Sequence, residues 1–328
     1  MIKLEFQSSF LRFRHPFRIA HGERLGTDVV FLRLELDGFV GYGEATLPPY
    51  LGVTTTHVIE ALSHEGLRDA LQLDRPQDWH SALQQMIPDL MPALAALDMA
   101  RWQVHLSQCK TTVSRAMGDS REHGVQVAHS YTIGVCNKSL MEEKIRYATE
   151  KGFSFFKLKL DGVNDLDVLR NFRLLSKAPF AVDANQAWGQ LEQALPVLDT
   201  LEREGCVLIE QPFHMSDREN SYQLSQRTKI PVIADEACQG FNDLEEVLQA
   251  FDGVNVKLQK CGGITPAGRQ LEYTRGRGGS TLIGCMSESS IGCNAAEQLT
   301  YLCDWADLDG PHLNANNEEL CKMVGYSL

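Results

Sequence analysis

Phe155-Phe156-Lys157-Leu158-Lys159-Leu160 is an apolar run broken only by two lysines, at i and i+2. Four later stretches follow the same plan: Ala181-Val182-Asp183-Ala184-Asn185, Leu208-Ile209-Glu210-Gln211-Pro212, Val232-Ile233-Ala234-Asp235-Glu236 and Val254-Asn255-Val256-Lys257-Leu258. Each is a short β-branched or aromatic run that ends in charge, which is how a buried parallel strand looks when its C-terminal end carries chemistry. The steps from Lys159 to Asp183, Glu210, Asp235 and Lys257 are 24, 27, 25 and 22 residues. That is about one strand, one helix and two loops. Charged groups at the ends of successive parallel strands converge on one face of a closed barrel. The fold class is therefore α/β, a modified TIM barrel.

The rest of the chain supplies a second, smaller part. Residues 1 to about 46 read as antiparallel strands, with Asp37-Gly38 as a hairpin turn between Val29–Leu36 and Phe39–Glu44. His21-Gly22-Glu23-Arg24-Leu25-Gly26 reads as a mobile glycine-containing loop between early strands. From Thr54 to about Gly118 the pattern is helical, with Leu90, Ala93, Leu94, Leu97, Arg101 and Val104 on one stripe and small Ala95, Ala96 and Ala100 permitting close packing. Residues 1–120 form an N-terminal α+β capping domain on this reading. The polar segment Gly118 to Gly124 marks the boundary, and 121–310 form the barrel. Strand one runs from Val125 to Gly134, strand seven is Ser280 to Ser287, and a short strand eight lies near Trp305 to Asp309. After Pro311 only 17 residues remain, with little helical pattern. The last barrel helix is thus missing, and the tail 311–328 returns to the cap.

Composition narrows the function. A net charge of −12 argues against a nucleic-acid partner. No apolar run is long enough to span a bilayer, and the start has no apolar signal core. These features predict a cytoplasmic protein with a small-molecule substrate and no membrane partner. Homo-oligomer formation is left open. The nine cysteines are an odd number without a Cys-x-x-Cys pair, which predicts reduced, structural thiols.

One acidic residue at a strand end is ordinarily a helix cap or a solvated loop. Asp183, Glu210 and Asp235 in register on consecutive strands are harder to dismiss, because three carboxylates aimed at one spot repel unless a cation lies among them. All three ligands are hard oxygens, so Mg²⁺ suits best, with Mn²⁺ as the alternative. Asn185 shares the face of Asp183 and is expected to support a ligand from behind. Glu236 is expected to point away from Asp235. Lys157 and Lys159 share one side of strand two, while Lys257 lies across the barrel on strand six. Such lysines could simply pair with the carboxylates. A lysine on each side of a bound substrate is, however, what proton removal and return on opposite faces requires. Desolvation and nearby charge are expected to bring them toward neutrality, so that they can act as bases.

Taken together, Lys157-x-Lys159, Asp183-Ala-Asn185, Glu210-Gln-Pro212, Asp235-Glu236 and Lys257 followed by Gly262-Gly263 resemble the muconate-lactonizing-like subgroup of the enolase superfamily. The resemblance covers nearly the whole chain and implies a (β/α)7β barrel under a capping lobe. Cys285-Met286-Ser287 stands where mandelate-racemase-like members carry a strand-seven histidine, which points to the lysine–lysine subgroup. Within it, Asp307 and Asp309 of Trp305-Ala306-Asp307-Leu308-Asp309-Gly310 look like the signature of dipeptide epimerases, where the pair holds the substrate's free α-amino group. An exposed acidic turn is the plainer alternative. The resemblance implies Mg²⁺-dependent epimerisation at the α-carbon of a dipeptide's C-terminal residue, through an enediolate, with Lys159 and Lys257 as the two bases. Lys157 would support the enediolate's charge. By similarity, Thr132, Cys285, Met286 and Ser287 line the substrate, and Arg24 could receive an acidic side chain as in Ala-Glu epimerases. The rivals are an N-acylamino-acid racemase, an o-succinylbenzoate synthase or a cycloisomerase of the same subgroup; a Schiff-base lyase and a non-catalytic binding module rank below them.

Overall fold

The structure is a computed structural model that describes residues 2–19, 22–119 and 127–327. It opens with a three-stranded antiparallel sheet, β1 (Ile2–Ile19), β2 (Gly22–Leu36) and β3 (Phe39–Leu47). Asp37 and Gly38 both take positive φ, 52° and 85°, as a tight primed turn between β2 and β3 requires. Gly22 to Gly26 are not a loop. They extend β2, pairing Arg24 with Phe17 and Gly26 with Arg12 across a register shift. The glycine-rich composition concealed this: a side chain at Gly26 would strike the Leu11 carbonyl and the Phe10 ring, so the glycine serves close strand packing. His21 lies outside the described residues.

Helix Met91–Cys109 packs on this sheet, buried along most of its length. Its small residues do what their size suggests. Gly41 and Gly43 of β3 approach the helix backbone so closely that a Cβ on either would meet the carbonyl of Ala100 or Ala96.

The second part is a closed barrel of eight parallel strands: β4 (Ala128–Ile133), β5 (Phe155–Lys159), β6 (Phe180–Asp183), β7 (Cys206–Glu210), β8 (Val232–Ala234), β9 (Gly253–Lys257), β10 (Ser280–Gly284) and β11 (Trp305–Asp307). The start of the expected first strand at Val125, and most of the expected Gly118–Gly124 boundary, fall outside the described residues. Strand alternation sets the site. Phe155, Ala181, Leu208, Ile233 and Leu282 form an apolar layer of their own. Two residues further along their chains come Lys157, Asp183, Glu210, Asp235 and Gly284, on the same side. The alternate residues Phe156, Leu158, Val182 and Ile209 belong to the main core instead. The barrel is thus floored with hydrocarbon and topped with charge.

After β11 the chain turns back to the cap. Ala315 N donates to Arg12 O at 2.7 Å, and the Asn316 side chain bonds Arg12 N and Phe10 O. The tail is more helical than its sequence suggests: helix Asn317–Met323 places Leu320 and Cys321 against Leu11, Val29 and Phe31. Its helicity rests on that packing, since seven residues are too few to hold a helix alone. Among the described residues no helix is long and apolar enough to cross a membrane.

Candidate active site

Asp183 ends β6, Glu210 ends β7 and Asp235 follows β8, so the closed sheet brings all three to one point. Their carboxylates are buried, with one oxygen from each lying within 4.8 Å of the others. Lys159 Nζ donates to Asp183 Oδ2 at 2.5 Å, and Lys257 Nζ donates to Asp235 Oδ2 at 2.7 Å. In the ring order β10-β11-β4-β5-β6-β7-β8-β9, three strands separate β5 from β9 in either direction. Lys159 and Lys257 therefore stand on diametrically opposite walls.

Lys157 lies lower, within 2.8 Å of Glu210 Oε2 and Asp307 Oδ2 and 3.2 Å from Asp183 Oδ2. Asn185 does not support Asp183 with its side chain. Its backbone N–H donates to Asp183 Oδ1 at 2.8 Å, while its amide reaches Glu236 Oε1 at 3.2 Å. Glu236 thus turns toward the cavity, contrary to strict alternation, because β8 has already ended at Ala234 and alternation no longer applies. Asn185 and Gln186, both at positive φ (43° and 67°), fold the segment after β6 over the mouth.

The electrostatics depend on which neighbours outweigh burial. Burial pushes Asp183 up, but Lys159 and Lys157 outweigh it and hold the carboxyl at about 2. Asp235 is likewise driven down by Lys257 and Lys260 against its burial. Glu210 goes the other way, to about 8, from burial and from Asp183 and Asp235 beside it, with Lys157 as insufficient compensation. Burial pushes Lys257 down, but Asp235, Tyr50 and Glu210 raise it further, so the lysine is held charged. Lys157 is raised in the same way by Asp307, Glu210 and Asp183. The expectation that desolvation would bring the lysines toward neutrality is not met at Lys157 and Lys257, because carboxylates beside both outweigh their burial.

These facts test the fit of a divalent ion. Burial and the carboxylates beside it raise Glu210 to about 8, and its Oε2 has no well-aligned hydrogen bond among the described residues, although Lys157 Nζ lies 2.8 Å away. Three converging hard oxygens match the donor set of Mg²⁺, and a dication there would draw the carboxylates away from the lysines.

At the end of β11, Asp307 Oδ1 accepts from Ser130 Oγ at 2.6 Å and Asp309 Oδ2 accepts from the Thr132 N–H at 2.5 Å. Both are buried, and neither is the exposed acidic turn of the plainer alternative. Lys157 draws Asp307 down against its burial, while burial and Asp307 push Asp309 up to about 7. Asp307, Asp309, Thr132, Cys285, Met286 and Ser287 line one cavity of about 430 Å³ together with Lys157, Lys159, Asp235 and Lys257. The cap closes it with Phe17, Arg24, Tyr50 and Leu51. The Arg24 guanidinium lies over the Phe13 ring at 5.6 Å, and its buried Nη1 has no hydrogen-bond partner among the described residues. Tyr50 OH meets Met286 Sδ at 2.7 Å, joining cap and barrel across the mouth. A second cavity of about 390 Å³, on the barrel flank beside Arg170 and Arg203, lies away from the strand ends and holds no converging carboxylates.

Sequence reasoning missed Lys260, Gln211 and Tyr50. Lys260 Nζ donates to Asp235 Oδ1 (2.8 Å), Asp235 O (2.7 Å) and Asn255 O (2.9 Å). Gln211 Oε1 accepts the N–H groups of Asp235 and Ala237. The signal for Lys260 was present as a second lysine one helical turn after Lys257. That for Gln211 was weaker, a polar residue directly behind Glu210.

The fold recurs in known proteins. Residues 140–312 match the family described as "Enolase C-terminal domain-like", and residues 2–118 match "Mandelate racemase / muconate lactonizing enzyme, N-terminal domain". The chain belongs to the enolase superfamily. Within that superfamily it is 31% identical to the L-Ala-D/L-Glu epimerase of Bacteroides thetaiotaomicron over 316 residues, 96% of this chain and 82% of the relative. It is 26% identical to the N-succinyl-L-Arg/Lys racemase of Bacillus cereus, over 92% of this chain and 85% of the relative. Among solved structures it superposes on the substrate-liganded L-Ala-D/L-Glu epimerase of Bacillus subtilis with a TM-score of 0.87, at 25% identity, over 97% and 92% of the two chains. The Methylococcus capsulatus dipeptide epimerase, complexed with Mg and the dipeptide L-Arg-D-Lys, gives a TM-score of 0.83 at 26% identity, over 95% and 91% of the chains.

Proposed function

We propose that this enolase-superfamily member epimerises dipeptides at the α-carbon of the C-terminal residue, with Mg²⁺ held by Asp183, Glu210 and Asp235. The named relatives are epimerases and racemases, isomerases in either case. The observation that carries the finer reading is the pairing of Lys159 and Lys257 on opposite walls with a buried Asp307/Asp309 pair at the last strand end. When bound, the metal would supply Lewis-acid stabilisation of the negative charge that develops on a substrate carboxylate.

This chain's own residues supply the remainder. Asp307 and Asp309 would anchor the substrate's ammonium group through charge-assisted hydrogen bonds, fixing which α-carbon lies between the lysines. One of Lys159 and Lys257, unprotonated once a bound cation takes Asp183 and Asp235 over from the lysines, would remove the α-proton, and the other, still an ammonium, would deliver a proton to the opposite face. Lys157, whose ammonium stays charged, supports the enediolate anion. Arg24, with an unspent N–H beside the cavity, would receive a carboxylate side chain, favouring an acidic residue such as glutamate. An N-acylamino acid has no free α-ammonium for Asp307 and Asp309 to hold, which ranks that reading second.

The test is incubation with L-Ala-L-Glu and other dipeptides, and with N-succinyl amino acids, in D₂O with Mg²⁺. One deuterium at the C-terminal residue's α-carbon, accompanied by the second epimer, is expected for the dipeptides. Exchange confined to the N-succinyl substrates would replace this reading with the racemase.

A further inference from the structure

Cys285, Met286 and Ser287 form one wall of the cavity, and the residue after them is a buried acid that the proposed chemistry does not use. Glu288 is not among the lining residues and is almost fully buried. Its Oε1 accepts the Met286 N–H at 2.9 Å, and its Oε2 accepts from Gln259 Nε2 at 3.2 Å. Gln259, in the short helix Leu258–Cys261 that follows Lys257, also holds the cap. Its Nε2 donates to the Glu44 carbonyl at 2.9 Å, and its Oε1 accepts the Thr46 N–H at 3.2 Å. Hydrogen bonds thus run from β3 of the cap through Gln259 and Glu288 to a backbone N–H of the substrate wall. A second buried acid stands in the same seam. Glu44 Oε1 accepts from Thr46 Oγ1 at 2.7 Å and from the Ser289 N–H at 2.9 Å, while Oε2 accepts from Ser289 Oγ and, at 3.0 Å, from the Gly292 N–H. Gly292, in helix Ser290–Glu297, touches both acids: a Cβ there would fall 2.2 Å from Glu288 Oε2.

We propose that Glu288 is a positioning residue, which carries the seating of the cap through Gln259 to the Met286–Ser287 wall. Met286 also meets Tyr50 of the cap, so the wall is held from behind by Glu288 and in front by Tyr50. A negative charge on Glu288 works against this hold. Glu44 has four donors to stabilise its own charge and Glu288 only two, so ionising Glu288 sets a second, poorly compensated anion in the seam. Lys257 of β9 is the cation that faces Glu288, and Asp235 already engages it. Cys293 behind the wall, and Cys321 and Tyr326 facing Glu44 from the tail, are all shifted up by burial and stay neutral near pH 7. Burial and Glu44 accordingly push Glu288 up to about 7. An unfolded glutamate titrates near 4.3, so the stability tied to this proton is present in full below that pH, is lost as pH rises to about 7, and changes no further above it.

The relay rests on these contacts alone, whereas its effect on turnover rests on the proposed epimerisation, so the two are read separately. Amide hydrogen exchange at single residues of the Mg²⁺-loaded protein reads the relay. Gln259→Met keeps the side chain's length and removes its amide, which should free the Thr46 N–H. The Met286 N–H should then exchange roughly tenfold faster or more, although its own partner Glu288 is unchanged. Met286 protected as in the parent while Thr46 opens would overturn the proposal. Glu288→Gln keeps the size of the side chain and removes its charge. The Tm of this variant relative to the parent's should climb from pH 5 to pH 7 and level off above, because only the parent ionises at this position. A difference that stays constant over that range would equally overturn it. With L-Ala-L-Glu, Glu288→Gln should raise KM roughly tenfold and leave kcat and Mg²⁺ affinity little changed, and a loss confined to kcat would reject positioning of the substrate wall. A parent protein that turns over no dipeptide would count against the epimerase reading and leave the exchange and Tm results to decide the relay.

Discussion

The two walls of the barrel mouth are near mirror images in charge and differ in what the second lysine does. On the β5–β6 wall Asp183 carries Lys159 and Lys157; on the β8–β9 wall Asp235 carries Lys257 and Lys260. Lys159 and Lys257 each have one carboxylate partner and line the cavity, so either can meet a substrate. Their companions diverge. Lys157 reaches across to Glu210 and Asp307, tying the cluster to the anchoring end of the cavity. Lys260 is bound to the carbonyls of Asp235 and Asn255 and braces one ligand in place. The symmetry belongs to the pair proposed to transfer protons, and the asymmetry to the groups around it.

Breaking the mirror directly should give the largest effect. Lys159→Ala and Lys257→Ala should each lower epimerisation by roughly 10³-fold or more, near the upper range for a proton-transfer group. With only one base left, each variant should still exchange the α-proton of one epimer, and the two variants should retain opposite epimers. Following deuterium separately from L,L and L,D substrates reads this. Turnover unchanged in both, or exchange from the same epimer in both, would remove the opposed-base reading.

The companions sharpen the asymmetry at smaller cost. Lys260→Met should weaken metal retention by roughly 10–100-fold, as loss of a group supporting a metal ligand does, with activity recovering at raised Mg²⁺. Lys157→Met should not recover if, as proposed, its charge serves the substrate anion. The supporting readout for Lys260 is a Mg²⁺ titration of activity alongside direct metal binding. At the cap, Arg24→Met should cost roughly 10–100-fold in kcat/KM for an acidic dipeptide and little for an apolar one. Equal losses on both would mean that Arg24 acts only through packing on Phe13.

How much of this was legible depended on whether a residue's position follows from periodicity or from chain path. The barrel and the carboxylate trio could be read directly, because strand alternation and even spacing fix where Asp183, Glu210 and Asp235 must point. Asp307 and Asp309 were found by family resemblance and are buried in the cavity as that implied. Alternation failed at Glu236, two residues beyond the end of β8. It gave no handle on Arg24, whose approach to the cavity depends on β1 and β2 continuing past a register shift. The direction in which Lys157 and Lys257 are shifted was also beyond the sequence. Burial and carboxylate contact oppose each other there, and only distances decide which prevails. Lys260 shows a further limit, since lysines near strand ends either touch a substrate or brace a carboxylate, and composition does not distinguish the two.

The smallest expected effect tests the anchoring end. Asp307 and Asp309 lie side by side with their carboxyls driven apart, the first down by Lys157 against its burial and the second up to about 7 by burial and its neighbour. An acid raised to about 7 carries its proton below that pH and is negative above it. The full charge for an ammonium group is therefore present above pH 7 and is lost as pH falls through it. A dipeptide's own amine loses its proton near pH 8, so binding should be best in a narrow window between the two. From pH 6 to about 7.5, kcat/KM should rise several-fold along a single acid limb, mainly through KM. Asp309→Asn should flatten that limb and lower the plateau by roughly tenfold, with kcat little changed. A limb that persists in Asp309→Asn would transfer the titration to another group and leave Asp307 alone as the anchor.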